Sequence, residues 1–265
     1  MNDEHISIAS RDWRLHAITT TTEPYRSPAT GFGHPPGTVV ELAGFLVSGD
    51  ETFAVPVADA AGMFLSLATA ASHRGRRITT LLKDLPPAKA IQKNAIPERR
   101  VDASREAEYF DALQDLVASV VFTYSSLEAL ANQLLPPDYR YRRERNDGRY
   151  VEEYDRGQVE RFLSLDEKLA VVLPQVRAVA SPKGTKVWQR FVRLERLRNR
   201  LVHLKRDDWR NLNPADAPTS IWSDIVAPDV PGLYKVAVEL AAHFTSADQP
   251  RWVGRALQQV AQDAA

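Results

Sequence analysis

Glu195, Arg198, Asn199 and His203 fall within one short run, residues 190–206, reading RFVRLERLRNRLVHLKR. A carboxylate, a guanidinium, an amide and an imidazole gathered this closely can move a proton and hold an anion. Imidazoles titrate near ~6.5 in model peptides, so a histidine can act as base or acid near neutral pH. A guanidinium is a planar fork that matches phosphate geometry. What the four groups reach depends on the element that carries them. Val187, Phe191, Leu194, Leu197, Leu201 and Leu204 recur at spacings of three and four, which predicts an amphipathic helix with one buried stripe. Glu195, Asn199 and His203 follow at i, i+4 and i+8 on a neighbouring face, with Arg198 on its flank. At ~100° per residue, Asn199 and His203 stand about 40° apart, but Arg198 and His203 roughly 140° apart. Two antiparallel copies across a two-fold axis can bring the latter two to one phosphate, and so can an Arg198 bent along its own helix.

Charge sharpens the reading. Residues 185–210 hold nine Lys or Arg against three acids, a net of +6, in a chain that balances 34 basic against 34 acidic residues. Such a positive island suits a polyanion such as nucleic acid, with Arg193, Arg200 and Lys205 as contact residues. A second basic stretch, YRYRRERNDGRY at 139–150, interleaves Arg142 and Arg143 with tyrosines. Arg for phosphate and Tyr for base stacking are what a single-stranded surface needs. The plainer reading is a flexible charged loop, neutralised by the acidic block at 151–167. Glu128 and Asn132 lie one turn apart on a long helix predicted over 104–135, where a solvated pair on its outer face is the favoured reading. The Arg-x4-His spacing alone says little, since Arg11 and His16 obey it too.

Two parts are expected. Residues 1–100 form an N-terminal element with short strands at 13–22, 38–47 and 52–57, a helix from 58 and a Pro-rich connector at 86–97. Residues 101–265 are helical: 104–135, opened by Ser104; about 164–179, with Ser164 and Glu167 as a capping box; the basic helix; a helix from Pro231 to Phe244; and a short amphipathic segment at 252–260. The fold class is mainly α with a small β-containing N-terminal element. No apolar run is long enough to span a bilayer, and the polar start lacks a signal peptide's apolar segment, so a cytoplasmic protein with no membrane partner is expected. With no Cys and six scattered His, neither a thiol nucleophile nor a metal site is expected. No Gly-rich phosphate loop suggests a cofactor.

The segment Arg198-Asn199 through His203 resembles the HEPN superfamily (higher eukaryotes and prokaryotes nucleotide-binding), helical bundles with Arg, four to six residues, then His. The run Leu127-Glu128-Ala129-Leu130-Ala131-Asn132, followed by Asp166-Glu167-Lys168-Leu169 and then the Arg198 helix, is similar to the layout of its larger prokaryotic members. The resemblance covers roughly 104–244. It implies a HEPN-like bundle and a metal-independent endoribonuclease of the toxin or antiviral-defence type, working as a homodimer on RNA, with an antitoxin or regulatory protein as a further partner. In that chemistry the ribose 2′-OH is the nucleophile. His203 acts as general base or acid, Arg198 stabilises charge on the phosphate, and Asn199 orients His203 or holds a phosphate oxygen, with Glu195 and Glu128 in support. Members paired with nucleotidyltransferases often carry a Tyr two residues after the His; Lys205 stands there in this chain. The alternatives are a non-catalytic HEPN-like module that dimerises or binds RNA or protein, and a helical scaffold whose motif helix is only a dimer seam.

Overall fold

The computed structural model describes residues 11–16, 18–27, 31–41, 43–86, 99–145, 150–209 and 220–263. β1 (Ile18–Thr20), β2 (Tyr25–Arg26), β3 (Gly33–His34) and β4 (Val39–Glu41) nest as two antiparallel pairs, β1 with β4 and β2 with β3. β5 (Ala43–Ser48) and β6 (Glu51–Pro56) form a hairpin whose turn places Gly49 at φ 61°, a left-handed conformation that glycine adopts without a Cβ penalty. Of the strands expected at 13–22, 38–47 and 52–57, the first is only β1, the second is divided between β4 and β5, the third is β6, and β2 and β3 form where no strand was expected. Most of the proline-rich connector lies outside the described residues.

Asp59 then starts α1 (Ala60–Gly75), its Oδ1 accepting the Gly62 N–H at 2.8 Å. The chain bends at Arg76 into α2 (Arg77–Lys83), and α3 (Glu106–Gln133) follows as the longest helix. α1 is rich in Ala and Gly, which lets it approach α3 closely. A Cβ on Gly75 would stand 2.6 Å from Leu116 Cδ2 of α3. Ala61, Leu65, Ala68 and Ile78 therefore share one core with Leu116, Val120 and Leu127. The helices assigned from sequence to an N-terminal part are walls of the helical body. The start of α3 also departs from expectation: Glu106 is the first helical residue, and the Ser104 hydroxyl donates to Asp102 rather than capping the helix. Phe110, in the first turns of α3, is 59 % exposed.

The Arg-rich stretch expected as a loop is a strand. β7 (Arg140–Arg145) pairs with β8 (Tyr150–Asp155), setting Arg142 opposite Glu153 and Arg143 opposite Glu152. Opposite charges on facing strands attract, while the alternating Tyr141 turns into the core. The basic and acidic blocks thus neutralise each other. Asp155 and Gln158 form the capping box of α4 (Arg156–Phe162), whereas Ser164, expected to cap, makes no side-chain cap bond. α5 (Leu165–Glu167) runs through a π-helical turn at Lys168–Val172 into α6 (Leu173–Arg177), which ends at Ala178 in the left-handed conformation. α7 (Lys186–Val202), α8 (Arg206–Trp209), α9 (Ile221–Ile225), α10 (Tyr234–Phe244) and α11 (Arg251–Gln262) complete the chain. α3 lies at the centre, touching α1, α2, α5, α7, α9 and α10. The result is a mixed fold with a helical majority. Among the described residues, no helix is long and apolar enough to cross a membrane.

The end of α11 is clamped to this body. Asp263 receives Tyr234 Oη and His73 Nε2, the latter at 2.9 Å, and Gln259 at 3.3 Å. Burial raises the Asp263 carboxyl, but these hydrogen bonds outweigh it and hold its pKa at about 2.

Candidate functional site

Thr185 opens α7 by accepting the Trp188 N–H at 3.2 Å, and the helix buries Phe191, Leu194 and Leu197. Each such side chain contributes roughly 1.5–3 kcal/mol. The expected stripe is present at its centre and fades at the end, where Leu204 is 44 % exposed. The helix stops at Val202, before Leu204, the last residue of the expected stripe. His203 is consequently its C-terminal cap, exposed, with its backbone N–H on the Asn199 carbonyl at 3.0 Å.

Burial of that stripe fixes where the polar groups point. Arg198 turns toward α3, its Cζ 4.6 Å from the centroid of the Tyr124 ring, a cation–π contact. Its Nη1 donates to Asn199 Oδ1 at 3.0 Å. Asn199 in turn lines an open groove of about 510 Å³ together with Arg196, His203 and Lys205. Arg198 is not among the groove's lining residues, so the angular separation read from sequence persists. Asn199 is the link between the two.

Beneath Arg198 lies a polar layer. Tyr124 is 7 % exposed, and burial, reinforced by Glu195, pushes its hydroxyl up to about 12. It is therefore a neutral donor at any physiological pH. Glu195 is half-buried, and burial followed by the charge of Asp166 raises its carboxyl, against the pull of Tyr124 and Arg198. One and two turns further along α3 come Glu128 and Asn132. They are not the solvated pair expected, because Asn132 Oδ1 accepts from Lys168 Nζ at 2.9 Å and Lys168 is 1 % exposed. Nζ also donates to the Glu160 carbonyl at 2.7 Å. Burial lowers the Lys168 pKa, while Glu128 and Glu160 favour its charged form. Lys168 sits in the π-helical turn, a distortion that recurs at functional sites.

No family model, curated protein or solved structure matches the chain.

The remaining basic residues divide. Arg143 is held by Glu152 at 2.7 Å and Glu167 at 2.7 Å and lies over Tyr154, so it joins the hairpin to α5 instead of facing outward. Arg193 pairs with Asp229 at 2.6 Å, Arg190 with Glu239, and Arg200 with Asp208 and Asp224. Asp208 is already counted in the net of +6, but Asp224 of α9, Asp229 before α10 and Glu239 of α10 neutralise part of what remains, a pairing that no local count reveals. Arg142, bonded to Glu153 at 3.1 Å but 70 % exposed in its side chain, and Lys205 remain at the surface.

Sequence reasoning identified Arg198, Asn199, His203, Glu195 and Glu128 and missed Tyr124, Asn132 and Lys168 as one layer. The signal was present: Tyr124, Glu128 and Asn132 repeat every four residues on α3.

Proposed function

We propose that this chain is a metal-independent endoribonuclease with a HEPN-like bundle, of the toxin or antiviral-defence type, whose reacting groups are Arg198 and His203. The observation that carries this reading is the coupling at the end of α7. A guanidinium fixed on a buried tyrosine is joined through one amide to the groove of an exposed histidine. His203 takes the proton of the ribose 2′-OH as that oxygen attacks phosphorus. The P–O5′ bond breaks and the leaving oxygen takes a proton from water, while the imidazolium returns its proton to solvent, giving a 2′,3′-cyclic phosphate and a 5′-OH. Arg198 stabilises the charge on the phosphoryl oxygens. Arg198 and His203 diverge within one chain, so the active unit is a two-fold dimer in which the ends of α7 meet beside Asn199, the residue that joins Arg198 to the seam, and Arg198 of one copy serves His203 of the other. The exposed face of α7, with Val192, Arg196, Asn199 and His203 along it, is the seam, and Arg142 and Lys205 supply outer RNA contacts. A protein that covers this face would act as an antitoxin.

A second reading is a non-catalytic module that dimerises or binds RNA or protein; the internal pairing of Arg190, Arg193 and Arg200, which withdraws them from phosphates, favours its dimerising or protein-binding form. Cleavage of mixed RNA in EDTA separates the two. Wild-type protein should give cyclic-phosphate ends, and Arg198→Ala and His203→Ala should lose at least about a hundredfold in rate while remaining dimeric. A wild type that binds RNA without cutting it establishes the binding module, and equal activity in all three proteins exposes a contaminant.

A further inference from the structure

A cavity of about 630 Å³ opens where the nested strands meet the start of α11. Tyr25, His34, His16, Asp59, Arg251 and Trp252 line it, and none of them belongs to the Arg198–His203 site. The walls have a definite chemistry. Tyr25 and His34 face each other across the β2–β3 register and stack with centroids 6.0 Å apart and planes at 22°, offering an aromatic surface to a flat ring. Trp252 is 1 % exposed, and its buried indole N–H has no hydrogen-bond partner among the described residues. That N–H is closed off from the cavity as well as from solvent, so Trp252 backs the wall and the aromatic stack carries the recognition.

Charge in the lining is balanced. Asp59 is 6 % exposed, anchored by the Gly62 N–H, and its Oδ2 stands 3.6 Å from His16 Nδ1. Glu41, also at the cavity, pairs with Arg11. Arg251 is pinned by donating to the Arg11 carbonyl at 2.8 Å and the Asp12 carbonyl at 3.4 Å. The second Arg-x4-His pair in the sequence therefore sits here, dividing its two members between two carboxylates. A balanced, part-aromatic lining suits a flat and largely uncharged heteroaromatic group, and the volume lies in the range of small-molecule sites. Among the described residues, no three acidic or imidazole side chains converge as metal ligands.

We propose that this cavity is a nucleobase-binding site, with the base ring stacked on the Tyr25–His34 surface and its polar edge toward the wall that holds His16, Asp59 and Arg251. The site gives the N-terminal strands a binding role of their own, and it goes beyond the cleavage reading. The base can arrive on a free nucleotide or on an RNA strand.

Saturation-transfer NMR on the full chain tests this with adenosine, guanosine, cytidine and uridine, their 5′-monophosphates, and a mixed-sequence single-stranded octaribonucleotide. At least one nucleoside should show transfer at its base protons. Its affinity by calorimetry should fall about tenfold or more in His34→Ala, which removes half of the stack. Val40→Trp, which fills the cavity from β4, should do the same with the thermal transition preserved. A monophosphate that outcompetes the octamer marks a free-nucleotide site, and the reverse order marks an RNA site. Absence of transfer from every base at millimolar concentration overturns the proposal, as does affinity unchanged in both variants. Nucleoside binding by a protein that does not cut RNA would leave this site standing and remove only the nuclease. Cutting without nucleoside binding would do the opposite.

Discussion

Replacing Lys168 with Met removes a buried ammonium while nearly conserving volume. Its amine donates to Asn132 Oδ1 at 2.9 Å and to the Glu160 carbonyl at 2.7 Å, and both acceptors lose their donor together. An acceptor left dry loses about 1–3 kcal/mol. Opposing this, the variant no longer desolvates a charge, and burial already disfavours the charged amine. Asn132 is half-buried and can take a water in exchange, so one full loss and a partial one remain against the relief. The expected net effect is a destabilisation of about 2 kcal/mol at pH 7. Urea unfolding should show it as a lower midpoint at unchanged slope. The pH dependence supplies an independent sign. The folded-state pKa lies below the ordinary 10.5, so in the window between the two values the unfolded chain binds more protons. Wild-type stability therefore gains with rising pH there, relative to the Met variant, and the gap between the two proteins widens. A variant as stable as wild type at pH 7, or a gap that narrows toward pH 10, would refute the reasoning.

Three further outcomes are expected. Gly75→Ala should destabilise by about 1–3 kcal/mol, because its Cβ would meet Leu116 at 2.6 Å, and the same substitution should cost less in a Leu116→Ala background, read as non-additivity in a double-mutant cycle. Asp263→Ala should remove acid-sensitive stability. The carboxyl's pKa of about 2 lies below its unfolded value, so its contribution is complete above about pH 4 and disappears as pH falls through about 2. Discounted for neighbouring exposed groups, that is about 1–2 kcal/mol in wild type, and the pH–stability curve of the variant should be flatter over the same range. Under the proposed nuclease reading, Tyr124→Phe keeps a ring beneath Arg198 and should hold RNA cleavage within about threefold of wild type, whereas Tyr124→Leu should lose about tenfold. Equal rates in the two variants would show that the ring does not position Arg198.

What the sequence determined by itself was local. The three-and-four spacing of Phe191, Leu194 and Leu197 specified a helix and its buried side, because periodicity follows directly from 3.6 residues per turn. The same arithmetic set Arg198 and His203 on different sides and Asn199 near His203, and the tertiary structure keeps that arrangement. The strands near the N-terminus were legible from β-branched and aromatic residues around a Ser-Gly-Asp turn. Long-range partners were not. Whether Arg143 and Arg200 meet RNA or carboxylates depends on residues brought beside them by the fold, such as Glu167 and Asp224. Lys168 illustrates the limit most clearly, since a lysine after Asp-Glu at a helix start reads as solvent-facing. Only packing of α3 against the π-helical turn closes it off and supplies Asn132 and the Glu160 carbonyl. Burial of a charge is decided by the whole set of surrounding elements, and no window along the chain contains that set.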